Sequence, residues 1–201
     1  MDSWIFQGGH PVVHVERAGD HIALSQSRAA FDDDAGEGHW PVPMVLSLGG
    51  QDGGNEQQRL LLEQPRSVDT APAPTFVQAN VGGAGFYRVE LDPELRAALL
   101  DQGAPGPLER FVLLDDTWSG LLAGRVPLSE AAELLRRAAR DETDPSVWRR
   151  LAGACRELAR LAGPDHRSAV QRFIAELATP ALARIERGLA EVMGSGTSIV
   201  T

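Results

Sequence analysis

The stretch TFVQANVGGAGFYRVELDPEL, residues 75–95, decides the fold reading, because it joins two β-like runs, a run of small residues and a helix start. Its Gly83-x-Gly85 pattern invites comparison with a phosphate-binding loop. A dinucleotide fingerprint needs a third glycine and a helix opening straight after the loop, whose free N–H groups hold the pyrophosphate. Here the glycines run into Phe86-Tyr87-Arg88-Val89-Glu90-Leu91, an alternating aromatic and β-branched run that reads as a strand. The expectation is a hairpin in which Gly83 and Gly85 supply positive φ between antiparallel strands. Asp92-Pro93 then offers an N-cap and a proline in the first turn of a helix.

Upstream of this stretch, short apolar runs alternate with turn chemistry. PVVHVER (11–17) and HIALSQSR (21–28) are joined by Ala-Gly-Asp, a hairpin signal, and WPVPMVLSLGG (40–50) carries two prolines that push it toward a sheet edge. With RLLLEQ (59–64), TFVQAN (75–80) and GFYRVEL (85–91), about six strands are expected, spaced as in an immunoglobulin-like antiparallel β-sandwich. Downstream the period changes to that of amphipathic helices. PLERFVLLDDTWSGLLAG (107–124) places Phe111, Leu114, Trp118 and Leu122 on one side. LSEAAELLRRAARDE has acids in its first turn and arginines in its last, DPSVWRRLAGACRELARLAGP starts on Asp144-Pro145, and DHRSAVQRFIAELATP is expected to run from Asp165 to a stop at Pro180. Short connections between such helices predict an α-helical array of antiparallel pairs. The expected fold class is therefore multidomain α and β, with a sandwich over 10–92, helices over 93–201 and a hinge around 90–108.

Composition narrows the function. The 201 residues carry a net charge of −9, unevenly placed: residues 1–92 hold 13 acids against 5 arginines, whereas residues 93–201 hold 15 against 14. An acidic front half repels phosphate backbones, so no nucleic acid is expected as partner. No apolar run reaches the length of a membrane span, and no membrane partner is expected. Cys155 is the one cysteine, which excludes an internal disulfide; on the apolar side of its helix it reads as a small buried thiol.

Chemistry-bearing patterns are sparse. His10 and His14 have an HxxxH spacing, but Pro11 and the valines around them make a strand, so the expectation is a solvent-facing histidine and not a zinc ligand pair. Asp32-Asp33-Asp34 and the DGGNE at 52–56 lack the spacing of a calcium loop and read as solvated loop acids. Glu142 and Asp144 flank a helix start, where capping explains them. Ser25, Ser119 and Ser129 have no histidine and acid in an order that suggests a triad. Asp115-Asp116 in mid-helix would either pair with the sandwich or face water, and Tyr87 and Arg88 would alternate between the two faces of the last strand, with Tyr87 or Phe86 in the core. No catalytic, cofactor-binding or metal-binding residue is assigned within these 201 residues.

Several short segments, taken in order, resemble the C-terminal half of the zinc aminopeptidases related to aminopeptidase N. They are MDSW at 1–4 with Gln7-Gly8 and Pro11-Val12-Val13, then Gln26, Arg28 and Phe31, Trp40-Pro41-Val42-Pro43, Asn80 with Gly85-Phe86-Tyr87-Arg88-Val89, Arg110-Phe111-Val112-Leu113-Leu114-Asp115-Asp116, and Glu142-Thr143-Asp144 before Trp148. The match departs from the family's pattern at Ala29-Ala30 and in the acidic loop 32–39, and little is recognisable beyond about residue 180. The resemblance implies that residues 1–9 end a preceding catalytic domain, 10–92 form a sandwich, and 93–201 begin a helical domain that closes over the active site. It further implies a cytoplasmic parent that removes N-terminal residues from peptides with a zinc-activated water. The family's HExxH, its further glutamate ligand and its GxMEN motif belong upstream of the MDSW-like stretch, so zinc is expected in the parent and no cofactor in this segment. The implied partners are the parent's own catalytic domain and, through it, peptide substrates. The rival readings are a free-standing sandwich and helical binding or scaffold protein, or an enzyme with an unrecognised site.

Overall fold

In the computed structural model, residues 2–31, 38–102 and 105–195 are described. After a single helical turn (α1, Asp2–Ile5) come seven strands: β1 (Pro11–Ala18), β2 (His21–Arg28), β3 (Val42–Gly49), β4 (Asn55–Leu62), β5 (Arg66–Asp69), β6 (Val77–Gln78) and β7 (Arg88–Leu91). Five longer helices follow: α2 (Pro93–Gln102), α3 (Pro107–Leu122), α4 (Leu128–Arg140), α5 (Pro145–Leu161) and α6 (Arg167–Ser195). The chain forms two compact units, 1–134 and 135–201, so the change from strand to helix at 92 falls inside the first unit.

The strands make two sheets, in the orders β5-β2-β1-β7 and β4-β3-β6. The β1–β2 hairpin turns on Gly19 (φ 67°) and Asp20, with Ala18 opposite His21, as a two-residue loop requires. Inward positions are apolar and buried: Val13, Val15, Ile22 and Leu24 in the first sheet, Val42, Met44, Leu46 and Leu48 in the second. Gln26 ties the sheets together. Its Nε2 donates to the Trp40 carbonyl (2.7 Å) and the Leu62 carbonyl (3.2 Å), and its Oε1 accepts from the Trp40 N–H (3.0 Å). These bonds satisfy backbone groups beside Trp40, whose side chain is fully buried.

The structure corrects three expectations. First, the decisive stretch is no hairpin: β6 joins β3 in the second sheet, whereas β7 crosses to the first and runs parallel to β1, Val12 opposite Arg88 through Val15 opposite Leu91. One pairing is therefore parallel where only antiparallel strands were expected. Alternation reveals a strand's two faces but not its partner. The crossover is closed on itself: the Gly85 N–H donates to Asn80 Oδ1 (2.9 Å), Asn80 Nδ2 donates to the Gly85 carbonyl (3.2 Å), and the Tyr87 hydroxyl donates to the Ala79 carbonyl (2.8 Å). Gly82 (φ 71°) and Gly83 (φ 61°) make the left-handed steps, while Gly85 is small for another reason, since a Cβ there would collide with the Tyr87 ring.

Second, β3 is a central strand despite Pro43. The short β6 covers only Ser47 and Leu48, so the proline lies where that side of β3 has no neighbour. Third, α6 runs through Pro180 instead of stopping there. The proline removes one backbone donor inside the helix, yet beyond it Arg184 donates to the carbonyls of Arg140 and Glu142 (both 3.0 Å), anchoring the continued helix to the α4–α5 connection. The strand-to-helix corner, inside the span expected to act as a hinge, is tied together by Asp92. Asp92 Oδ1 caps α2 by accepting from the Leu95 N–H (2.8 Å), Oδ2 accepts from the Arg17 N–H at the end of β1 (2.8 Å), and the Asp92 N–H donates to the Val15 carbonyl (3.1 Å). One side chain thus fixes both the helix start and the β1–β7 junction. Asp92→Ala removes a cap and leaves a half-buried N–H unpaired, and should cost about 1–3 kcal/mol. A urea midpoint for the first unit unchanged by the substitution would contradict this, and Asp92→Asn, which keeps an acceptor, should lose less.

Candidate functional site

Two groups of polar side chains meet on the outer face of the β5-β2-β1-β7 sheet. Along β7 the side chains alternate, so Arg88 and Glu90 share one face. Arg88 NH1 reaches Asp115 Oδ2 (2.8 Å) and Asp116 Oδ1 (3.0 Å) on α3, and Asp116 Oδ2 accepts the Val89 N–H (2.9 Å). Of the two readings open for Asp115-Asp116, pairing with the strands holds; Tyr87 goes into the core and Phe86 stays outside. Asp116 is only 5% exposed. Burial pushes its carboxyl up to about 7, a rise that the Val89 N–H and Arg88 only partly offset. Burial also pulls against the Arg88 guanidinium, but its bonds to Asp115 and the nearby charge of Asp116 outweigh that and raise it. Both groups are raised, which disfavours the charge on Asp116, the more deeply buried of the two, and favours it on Arg88.

A second chain of contacts crosses three strands. His14 on β1 shares a 2.7 Å hydrogen bond between Nε2 and Ser27 Oγ on β2, and its Nδ1 lies 3.3 Å from Glu90 Oε2 on β7. Glu90 Oε1 accepts from Arg125 Nε (2.6 Å), and Arg125 NH1 donates to the Ala30 carbonyl (3.0 Å). Burial alone would raise the Glu90 carboxyl, but His14 and Arg125 hold it below the usual range. Glu109 on α3 is likewise held low despite burial, accepting from the N–H groups of Gly82 (2.9 Å) and Gly106 (2.7 Å).

His14 is therefore half-buried and bonded on both ring nitrogens, not the solvent-facing strand histidine expected. His10 has a different neighbour, the Phe86 ring at 6.0 Å, and burial lowers its imidazole, helped by Arg88. Among the described residues no group of three or more His, Cys, Asp or Glu side chains could hold a metal ion. The Ser27–His14–Glu90 grouping escaped the sequence reading. Its first half had a signal, since the two-residue turn at Gly19-Asp20 fixes the hairpin register and sets Ser27 diagonally across from His14. Glu90 had none, because the parallel pairing brings it there.

Other singled-out residues are structural. Asp144 caps α5 by accepting from the Ser146 and Val147 N–H groups (2.8 and 3.2 Å), and Glu142 accepts from the Thr143 and Asp144 N–H groups (2.9 and 2.8 Å). Trp148 Nε1 donates to the Glu142 carbonyl (3.0 Å), and Trp118 is buried. Cys155 is half-buried, with burial pushing its thiol up and Arg156 offsetting part of the rise. Asp52 Oδ1 accepts the Gly54 N–H (3.0 Å) in an exposed turn, at the rim of an open groove of about 510 Å³ that also touches Asn55, Asp69 and Pro72. Asp32, Asp33 and Asp34 lie outside the described residues. Among the described residues no helix is long and apolar enough to cross a membrane.

Two sheets are followed by helices, and the crossover strand β7 is clamped by the second long helix, α3. The match to known proteins gives the chain a family. Residues 76–194 match the ERAP1-like C-terminal domain, and the chain belongs to that family. It is 30% identical over 132 residues to Tricorn protease-interacting factor F2 of Thermoplasma acidophilum, covering 65% of this chain and 16% of the relative. It is 29% identical over 196 residues to Aminopeptidase M1-C of Oryza sativa subsp. japonica (90% and 22%) and 28% identical over 159 residues to the puromycin-sensitive aminopeptidase of Caenorhabditis elegans (74% and 17%). The chain thus corresponds to a C-terminal portion of aminopeptidases of the M1 type and spans about a fifth of the length of these relatives.

Asp116 gives the module a pH dependence of definite sign. Its carboxyl is raised in the folded state, so folding favours the proton, and stability falls as pH rises from about 4 through the folded value of about 7. Asp116→Asn, which keeps an oxygen for the Val89 N–H, should remove a slope of at least about 1 kcal/mol across that window. Glu90 and Glu109, both lowered, act at the other end and lose their contribution only as pH falls below the ordinary carboxylate range. Stability measured against pH should separate the two, and a wild-type curve flat between pH 4 and pH 8 would contradict the assignment.

Proposed function

We propose that this chain is the noncatalytic C-terminal segment of a zinc-dependent aminopeptidase that removes N-terminal residues from peptides. Residues 1–9 end the catalytic domain, 10–92 form an immunoglobulin-like sandwich that acts as spacer, and 93–201 begin a helical lid built from antiparallel pairs. The observation that carries the reading is the match of residues 76–194 to a C-terminal domain whose relatives include aminopeptidases. The sequence contains no HExxH and no GxMEN, so zinc and the general base belong to the parent's preceding domain. There zinc would activate the attacking water, and no step of that chemistry is assigned to residues of this chain.

An exposed aromatic surface beside the amino terminus supports the same reading. Phe6 is 84% and Phe86 76% exposed, with Trp4 tilted against both Trp40 (6.3 Å) and Phe86 (6.4 Å). Exposed apolar groups clustered in this way suit contact with another domain, here the parent's own catalytic domain. The location proposed for the parent is cytoplasmic, and its peptide substrates reach this segment only through the assembled enzyme.

Two measurements test the proposal. The purified 201-residue chain, incubated with zinc and aminoacyl arylamides, should release no arylamine, and in the native locus the reading frame should continue upstream of the Met1 codon into an HExxH sequence. Zinc-dependent turnover by the chain alone, or a stop codon directly upstream, would overturn it.

A further inference from the structure

The Ser27–His14–Glu90 contacts have the order of a nucleophile, a base and an orienting carboxylate. Glu90 is fixed by Arg125 and faces His14 Nδ1. That places the Nδ1 proton on the Glu90 side and leaves Nε2 to accept from the Ser27 hydroxyl at 2.7 Å. All three side chains lie on one sheet face, and each is partly accessible: His14 is 25% and Glu90 13% exposed, and Ser27 is half-buried. None of the three has a place in the proposed role of the segment as spacer and lid.

We propose that Ser27 is an activated nucleophile, a covalent acceptor site for acyl groups from small activated esters, with His14 as its base and Glu90 as the residue that positions His14. In the step, Ser27 Oγ bonds to the ester carbonyl carbon as its proton passes to His14 Nε2. The bond to the aryl oxygen breaks, the imidazolium passes its proton to the departing aryl oxide, and His14 returns to its neutral form. The products are acyl-Ser27 and the phenol.

The same geometry limits the reaction to slow acylation. The Ala29 N–H donates to the His10 carbonyl (2.9 Å), and alternation along an antiparallel ladder commits the Ser27 N–H to Val12. That backbone donor is not available to an oxyanion, and the lack of one such donor costs about 10²–10³ in rate. The expected outcome is a stoichiometric adduct and not efficient turnover. This inference is independent of the aminopeptidase reading.

The test incubates the full chain with p-nitrophenyl acetate and, separately, with a fluorophosphonate, then maps adducts by peptide mass spectrometry. A single adduct on Ser27 is expected, abolished in Ser27→Ala and unchanged in Ser25→Ala. His14→Gln should slow its formation by about a hundredfold, the low end of general-base assistance. Glu90→Gln should slow it by a smaller factor and Glu90→Asp should recover part of the loss, a pattern that a purely structural role would not produce. Should His14→Gln misfold, Ser27→Cys gives a second readout: its alkylation by iodoacetamide should be faster than that of a half-buried thiol without a base, the native Cys155 being the internal reference. Adducts spread over other serines, no adduct on Ser27, or a rate indifferent to His14 would overturn the proposal.

Discussion

The Val89 N–H is the group on which the first unit's architecture turns. Strand β7 is an edge strand, paired to β1 on one side only, and parallel pairing leaves alternate backbone groups pointing away from the partner. A helix packed over that edge shuts out water, so the outward N–H needs an acceptor. Asp116 supplies it from the middle of α3 and spends its second oxygen on Arg88, the residue just before. One buried carboxylate therefore does three things: it satisfies an edge strand, it sets the rotation of a helix, and it withholds the edge from pairing with another chain.

Its neighbours extend the same logic in both directions. Glu109, two turns earlier on α3, holds the Gly82 turn, so helix and crossover are fixed together. Gly120, one turn later, admits close approach, for a Cβ there would lie 2.7 Å from Val126 and 3.3 Å from Glu90 Oε1. Asp92 closes the corner between β1 and α2. At the strand-to-helix transition carboxylates and backbone N–H groups carry the junction, while the apolar core lies between the sheets and under the helices. This suits a segment proposed to hold one domain at a fixed distance from another.

How much of this was legible in the sequence follows from which interactions are local. The β1–β2 hairpin, the caps at Asp92 and Asp144 and the helices over 107–122 and 145–161 depend on neighbours within a few positions, and turn and cap residues announce them. The placement of β7 was not legible, because Phe86 to Leu91 alternates identically whether the strand folds back on β6 or crosses to β1. Pro180 misled for the opposite reason: the local rule is sound, but Arg184 reaching the α4–α5 connection is a long-range compensation. The Ser27–His14–Glu90 grouping inherits its illegibility from β7, whereas the family resemblance was readable in scattered short segments well before the fold was.

The most direct measurement of the central claim is amide hydrogen exchange at Val89 in wild type and in Asp116→Ala. The prediction is a protected amide in the wild type that exchanges about tenfold faster or more in the variant, the equivalent of one lost hydrogen bond. The Val13 and Val15 amides of β1 should keep their protection. Equal protection of Val89 in both proteins would mean that the edge is held by packing alone and that the Asp116 carboxylate is incidental to the fold.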